Sequence, residues 1–210
     1  MFAMTPRRSA GFTMIETMVC VVIAGIMLAV GIPSMSAWLM SNKARSANEF
    51  YMEGFRLARQ QAVLHNTPSR LLLTANASNG QLDWQVDICF PTSSAPCVEG
   101  SLNWSTPSAP AANDPEGASG FKSVLRSAAN LPPVSVIAPT LLPDGAYYVF
   151  YTALGWVDPN FPSRVTRLQL APSAAYASRV RTSAIAVTLG GLPTRCDPSV
   201  AVTDSRGCPP

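Results

Sequence analysis

The stretch "PRRSAGFTMIETMVCVVIAGIMLAVGIPSM" (6–35) decides the architecture of the N-terminal part of the chain. Between Phe12 and Ser41, thirty residues contain a single charged side chain, Glu16. That length exceeds the ~20 residues that a helix needs to cross a bilayer. The composition therefore predicts a transmembrane helix over about 12–40 that carries one carboxylate near its start.

The charges that flank this run predict its orientation. Arg7 and Arg8 precede the run, and the next charge after Glu16 is Lys43. By the positive-inside rule, the short N-terminus stays cytoplasmic and the remainder of the chain is exported. A secretory signal peptide would end in a small-residue cleavage site, and no Ala-x-Ala sequence follows the run. A plain anchor, the simplest alternative, leaves the carboxylate unexplained, because a charge at the bilayer centre costs ~2.5–3.5 kcal/mol on insertion scales.

The order of residues at this N-terminus resembles a known processing signal. A basic leader that ends in Gly11, then Phe12, then a carboxylate at Glu16 and an apolar helix is similar to the class III signal of type IV pilins and type II secretion pseudopilins. In that family, prepilin peptidase cleaves after the glycine on the cytoplasmic side and methylates the new N-terminal residue. The resemblance implies a leader at 1–11, cleavage between Gly11 and Phe12, and N-methylation of Phe12. It also implies a helix kink at Pro33, where pilin helices commonly carry a proline.

Cleavage at this site would give the carboxylate a partner. It leaves a cationic amine on Phe12, and a rise of ~1.5 Å per residue puts Glu16 ~6 Å from that amine along the helix. In a bundle of staggered helices, Glu16 of one subunit can meet the Phe12 amine of its neighbour. Both charges are then paired in a medium where an unpaired charge is costly. Glu16 is therefore predicted to be an assembly residue.

The bulk composition predicts one exported domain with little net charge. The leader carries two of the 15 basic residues, so the mature chain has 13 against 12 acidic residues, a net charge of +1. No strong overall field then favours nucleic acid or anionic lipid. The residues beyond the anchor suffice for one modest globular domain, and 19 prolines argue for short strands and loops rather than a helix bundle.

Four of the five cysteines form two local pairs in the sequence. Cys20 lies within the apolar helix and is read as a packing residue. Four cysteines allow three connectivities, and an exported domain permits disulfides. Proximity favours Cys89 with Cys97 and Cys196 with Cys208. Zinc is the rival interpretation, disfavoured because the spacings are not Cys-x2-Cys and the chain has one histidine.

Apolar periodicity divides the rest of the chain into a helix and a β-rich domain. The helical pattern ends at "HNTP" (65–68), which predicts an N-terminal helix over 12–66. A β-rich domain over 67–210 is expected, with a polar and mobile loop over 101–120 and a cysteine-closed C-terminal loop over 190–210. The predicted strands lie at 69–75, 82–90, 121–127, 134–138, 147–152, 164–170 and 183–189, the first two joined by a hairpin turn at Asn79-Gly80. The fold class is therefore α+β, a long helix packed on antiparallel strands.

This downstream half is similar to the FimT/GspH group of minor pilins and pseudopilins. The helix "ARSANEFYMEGFRLARQQAVLHNTP" (44–68) carries a Leu-Ala-Arg-x-x-Ala run, as is typical of that group before the first strand. "LGWV" (154–157) stands roughly where the group has a glycine-led turn, and "AVTLGGLPTRC" (186–196) resembles its closing strand. The resemblance implies the pilin fold.

Sequence motifs of catalysis and of cofactor binding are not found. His65 is the single histidine, and no Gly-x-Ser-x-Gly, His-Glu-x-x-His, P-loop or dinucleotide motif occurs. The chain is predicted not to be an enzyme and to need no cofactor and no metal. It is instead expected to be the substrate of the peptidase.

Nucleic-acid binding is the main functional alternative. Some FimT-like minor pilins act in DNA uptake through basic residues near a C-terminal glycine-arginine motif. The candidate DNA-binding residues here are Arg179, Arg181, Arg195 and Arg206. Phosphate contacts need clustered cations, whereas Asp197 and Asp204 partly cancel this charge. The sequence "GGLPTR" also departs from a Gly-Arg-x-Arg pattern, so ordinary solvated arginines are the favoured interpretation.

The sequence predicts a minor type IV pilin of FimT/GspH type. It would be a single-pass protein of the bacterial inner membrane with a periplasmic C-terminal domain, and it would join or prime an extracellular filament. The expected partners are prepilin peptidase, other pilins or pseudopilins, the assembly platform and the membrane. A type II secretion pseudopilin and a DNA-binding competence pilin are the alternatives.

Overall fold

One long helix, eight strands and a short 3-10 helix at Gly117–Ser119 make up the regular structure of the described residues. The computed structural model describes residues 11–178 and 180–209. Helix α1 runs over Met14–Leu64, and Pro33 lies inside it. The chain divides into two compact units, the first ending at Leu39 and the second beginning at Met40. Among the described residues, no helix has the length and apolarity that a membrane crossing requires.

The second unit holds two four-stranded antiparallel sheets. The first sheet has the strand order β3-β2-β1-β5, and the second has the order β4-β6-β7-β8. The strands of the first sheet are β1 (Ser69–Ala75), β2 (Leu82–Ile88), β3 (Val124–Arg126) and β5 (Tyr148–Tyr151). Those of the second are β4 (Ile137–Leu142), β6 (Arg167–Pro172), β7 (Ser183–Val187) and β8 (Pro193–Cys196). The predicted α+β class, with a long helix on antiparallel sheets, is confirmed.

The end of α1 and the first hairpin follow from local sequence signals. Asn66 adopts a positive φ of 48°, and Thr67 N donates to Ala62 O at 3.1 Å across the end of the helix. This is the hydrogen bond of a Schellman cap, which asparagine tolerates at the left-handed position. Gly80 has a φ of 72° in the turn between β1 and β2, as hairpin turns require.

Helix α1 packs on the first sheet through its small and aromatic residues. Tyr51 and Phe55 are almost fully buried, and burial of each such side chain contributes about 1.5–3 kcal/mol. Gly54 allows the close approach, because a Cβ there would lie 3.0 Å from the Trp84 ring and 3.2 Å from Leu71. The buried residues Tyr51, Gly54 and Phe55 recur at three- and four-residue steps, so apolar periodicity alone predicts the buried face of the helix in this unit.

Two strand predictions need correction. The strand expected at 134–138 begins at Ile137 and runs to Leu142, because Val136 N turns back to donate to Pro133 O at 2.8 Å. The loop expected over 190–210 contains β8, which pairs with β7. Proline-free runs are the usual strand signal, but β8 starts with Pro193 and lies at a sheet edge, where a missing N–H is tolerated.

Candidate functional site

The start of α1 is closed by a reciprocal cap. Thr13 N donates to Glu16 Oε2 at 3.4 Å, and Glu16 N donates to Thr13 Oγ1 at 3.3 Å. This is a capping box of the Thr-x-x-Glu type, which satisfies two backbone donors at a helix start. The Phe12 side chain is 79% exposed, and Gly11 and Glu16 are exposed too. In the single chain, these three residues are therefore accessible to solvent.

Disulfides join both local cysteine pairs. Cys89 and Cys97 are bonded at 2.04 Å, and Cys196 and Cys208 at 2.11 Å. The second bond closes the segment after β8, where Asp197 N donates to the Arg206 carbonyl oxygen at 2.7 Å. The C-terminal segment is thus held to the second sheet by a covalent bond and a backbone hydrogen bond.

A buried ion pair supports the segment that follows the first disulfide. Arg70 Nε lies 2.7 Å from Asp87 Oδ2, and the Asp87 side chain is fully buried. The same guanidinium lies 4.5 Å from the centroid of the Trp104 ring and donates through Nη1 to Glu99 O at 3.0 Å. Trp104 belongs to the polar segment 101–120, whose sequence suggested a loop without fixed contacts. The tryptophan itself was the signal that this interpretation passed over.

The four candidate DNA-binding arginines differ in their surroundings. Arg195 Nη2 lies 2.6 Å from Glu49 Oε1, and Arg206 Nη2 lies 2.8 Å from Asp204 Oδ2. The Arg206 side chain lowers the pKa of Asp204 below its ordinary value, with help from the Arg206 backbone N–H. Arg181 lines a cleft together with Arg195, and Arg179 lies outside the described residues. The predicted set therefore does not form one cluster of free cations among the described residues.

A comparison with family models identifies the N-terminal segment. Residues 6–32 match the model of the prokaryotic N-terminal methylation motif, and this range contains Gly11, Phe12, Thr13 and Glu16. The chain carries the N-terminal signature of the type IV pilin and pseudopilin superfamily. No curated protein and no solved structure matches it.

The pilin signature has consequences for partners and for chemistry. It implies processing by prepilin peptidase and assembly with other pilins. Proteins with this signature are typically anchored in a membrane before they assemble. The signature also indicates a structural role.

An exposed apolar patch lies on the second unit of this pilin-like chain. Its members are large apolar residues between 50% and 68% exposed: Val63, Leu64, Leu154, Trp156, Leu189 and Leu192. Two loops carry most of them, and Val157 N donates to Leu189 O at 3.0 Å between these loops. At Gly191, a Cβ would lie 2.0 Å from Gly155 O, so glycine is needed for the loops to touch. Shallow cavities of about 460 and 430 Å³ lie in this patch. The sequence alone does not predict this patch, because its residues come from three separate segments.

Proposed function

We propose that this chain is a minor type IV pilin of the FimT/GspH group. It is cleaved between Gly11 and Phe12 and methylated on the Phe12 amine, and it then joins or primes a filament through Glu16. The observation that carries the proposal is the match of residues 6–32 to the methylation motif. Gly11, Phe12 and Glu16 lie within this range, and we propose them as the last leader residue, the new N-terminus and the acidic residue. The α+β arrangement of helix and antiparallel sheets supports it.

Membrane anchoring before assembly is part of this proposal. Residues 17–42 contain no Asp, Glu, Lys or Arg, and ~20 apolar residues suffice for a helical span. The two disulfides suit an oxidising compartment such as the periplasm. The expected topology is a single pass through the bacterial inner membrane at about 12–40, with the C-terminal domain in the periplasm.

Mass spectrometry of membrane extracts tests the processing. The mature chain should begin at methylated Phe12. Gly11→Val should leave the leader attached, because the peptidase site needs a small residue there, whereas Gly25→Val within the helix should still be cleaved. A mature chain that begins after Gly25 or Pro33 would refute the proposal.

The apolar patch is explained by an assembly role. Large apolar side chains that are exposed close together on one surface are typical of interaction sites. We infer that the domain of a neighbouring pilin covers it in the filament. Trp156→Ser with Leu189→Ser should then reduce incorporation into sheared filaments, whereas Leu102→Ser, at a 97% exposed residue outside the patch, should not. Equal incorporation of wild type, the Trp156/Leu189 double variant and Leu102→Ser would show that the patch is not an assembly surface.

A pseudopilin of a type II secretion system is the alternative, because it shares the methylation motif. Chromosomal neighbours distinguish the two machines, since pilus components or secretion components would lie beside the gene. A DNA-binding role is less well supported, because Arg195 and Arg206 each pair with a carboxylate. Binding of DNA that weakens with salt, with a slope reduced by Arg195→Ala and Arg206→Ala, would support it.

A further inference from the structure

A cleft of about 320 Å³ lies where α1 enters the second unit. Its walls come from α1, from the segment that leads into β7 and from β8. Three arginines line it, Arg45, Arg181 and Arg195, together with Asn48 and Ser183. Arginines present planar forks of donors that suit phosphate and carboxylate groups. Three guanidinium groups from three separate parts of the chain therefore line one cleft, which has the donors that an anion site needs.

The positive charge of this cleft is only partly compensated. Glu49 pairs with Arg195 at 2.6 Å. Within the described residues, no carboxylate lies in salt-bridge distance of Arg45 or Arg181. The pKa of Asp197 is lowered first by its hydrogen bonds from Ser199, and the charge of Arg181 adds to that effect. Among the described residues, Arg45 and Arg181 therefore have no carboxylate in direct contact, although the charge of Asp197 partly offsets that of Arg181.

Asn48 adds an unsatisfied polar group to the lining. Its side chain is 4% exposed, and its amide nitrogen donates to Ala44 O at 2.9 Å and to Ser183 Oγ at 2.8 Å. Its Oδ1 atom has no hydrogen-bond partner in the described part of the chain, and a buried acceptor without a donor is costly. Ser183 Oγ accepts from Asn48, and a hydroxyl that accepts can also donate. A ligand that fits both the arginines and the Asn48 Oδ1 atom therefore combines an anionic group with a hydroxyl or amine donor.

The cleft lies next to the uncharged run of the chain, which favours a ligand found at a membrane surface. Its lining begins at Ser41, within the uncharged run 17–42, and Arg45 follows the end of that run by three residues. Three residues of helix span ~4.5 Å, so Arg45 would lie at headgroup depth in an anchored chain. We propose that this cleft binds the phosphate of an anionic phospholipid headgroup, with Arg45 and Arg181 on the phosphate oxygens and Asn48 on a headgroup hydroxyl. This inference rests on the membrane anchoring proposed above.

Native mass spectrometry of the processed full-length chain tests this site. The chain is released from mixed micelles that contain equal amounts of phosphatidylglycerol and phosphatidylcholine, and the retained lipid is counted. Wild type should retain one phosphatidylglycerol in preference to phosphatidylcholine. Arg45→Gln with Arg181→Gln should weaken that retention about tenfold or more, since it removes the charge-assisted hydrogen bonds to the phosphate. Lys122→Gln with Arg126→Gln removes the same charge elsewhere on the surface and should leave it unchanged.

Further measurements distinguish a lipid phosphate from free phosphate. They also distinguish a failure of the proposed lipid site from a failure of the proposed membrane anchoring. Displacement of the lipid by equimolar inorganic phosphate, with the same arginine dependence, would overturn the headgroup as the ligand. Displacement by a short DNA duplex would overturn it in favour of nucleic acid. Equal retention by wild type and the Arg45/Arg181 variant would overturn the site itself. Absence of the chain from the membrane fraction would instead contradict the anchoring, which is measured before any lipid is counted.

Discussion

Thr13 and Glu16 cap the start of α1 by exchanging hydrogen bonds, with N–O distances of 3.4 and 3.3 Å. The carboxylate expected to serve assembly therefore already has a partner inside its own chain. A backbone N–H is a weaker partner for a carboxylate than a cationic amine. Assembly can thus replace an intramolecular contact of Glu16 with a stronger contact to the Phe12 amine of a neighbour, without leaving the carboxylate unpaired beforehand.

Thr13→Ala separates capping from assembly. It removes the hydroxyl that accepts from Glu16 N, and loss of an N-cap side chain typically costs ~1 kcal/mol of helix stability. The Glu16 carboxylate is retained, so we expect near-normal incorporation into sheared filaments. Quantitative immunoblotting of the filament and membrane fractions measures this. A loss as large as that caused by removing the Glu16 charge would mean that the cap, rather than the charge, governs assembly.

The Arg70–Asp87 ion pair should be important for the stability of the second unit. Arg70→Met leaves the fully buried Asp87 carboxylate without its cation, and breaking one side of such a pair costs about 3–5 kcal/mol. Urea unfolding of the oxidised chain in detergent measures the change in the free energy of unfolding.

The double variant Arg70→Met with Asp87→Asn provides the matched control for that experiment. It removes both charges, so we expect it to recover much of the lost stability. Gln85 Nε2, which donates to Asp87 Oδ1 at 2.6 Å, can still donate to the asparagine carbonyl oxygen. If the single and double variants are equally destabilised, the loss comes from packing against Trp104 and not from the unpaired carboxylate.

Because Tyr51 is buried, we expect the free energy of unfolding to fall at alkaline pH. Burial raises its pKa from 10.0 to about 12, an effect that the hydrogen bond from Leu82 N opposes and the charge of Asp83 reinforces. The unfolded chain therefore loses this proton first as pH rises, so stability is intact below pH 10 and falls between about pH 10 and 12. The slope from this one group is about 1.4 kcal/mol per pH unit.

Tyr51→Phe tests that assignment. The variant loses the hydrogen bond from Tyr51 to Gln81 Oε1, so it should be less stable than wild type near neutral pH. Its free energy of unfolding should nevertheless fall less steeply above pH 10, because one titrating group is gone. Burial also raises the pKa of Tyr151, which leaves a residual slope in the variant. Identical slopes in the two chains would refute the role of Tyr51.

The sequence predicted the parts of this structure that depend on short-range patterns. The buried face of α1, the hairpin at Gly80 and the local cysteine pairs follow from periodicity, turn chemistry and proximity. The spacing of Thr13 and Glu16 also predicts a capping box, a role of Glu16 that its charge alone does not indicate. In contrast, β8 starts with a proline and is stabilised by pairing with β7, which no local signal specifies. The arginine cleft and the apolar patch need distant segments to meet, so only the fold could reveal them.

The most direct test of the proposed function is filament incorporation of Glu16→Gln. Glutamine removes the charge but retains the capping box, since glutamine also serves at that position, and the scissile bond after Gly11 is untouched. Cleavage and membrane recovery should therefore equal those of wild type, while the content of the variant in sheared filaments should fall severalfold, because the neighbour's Phe12 amine lacks its counter-charge. Normal incorporation of a fully cleaved Glu16→Gln chain would contradict the role of Glu16 in assembly.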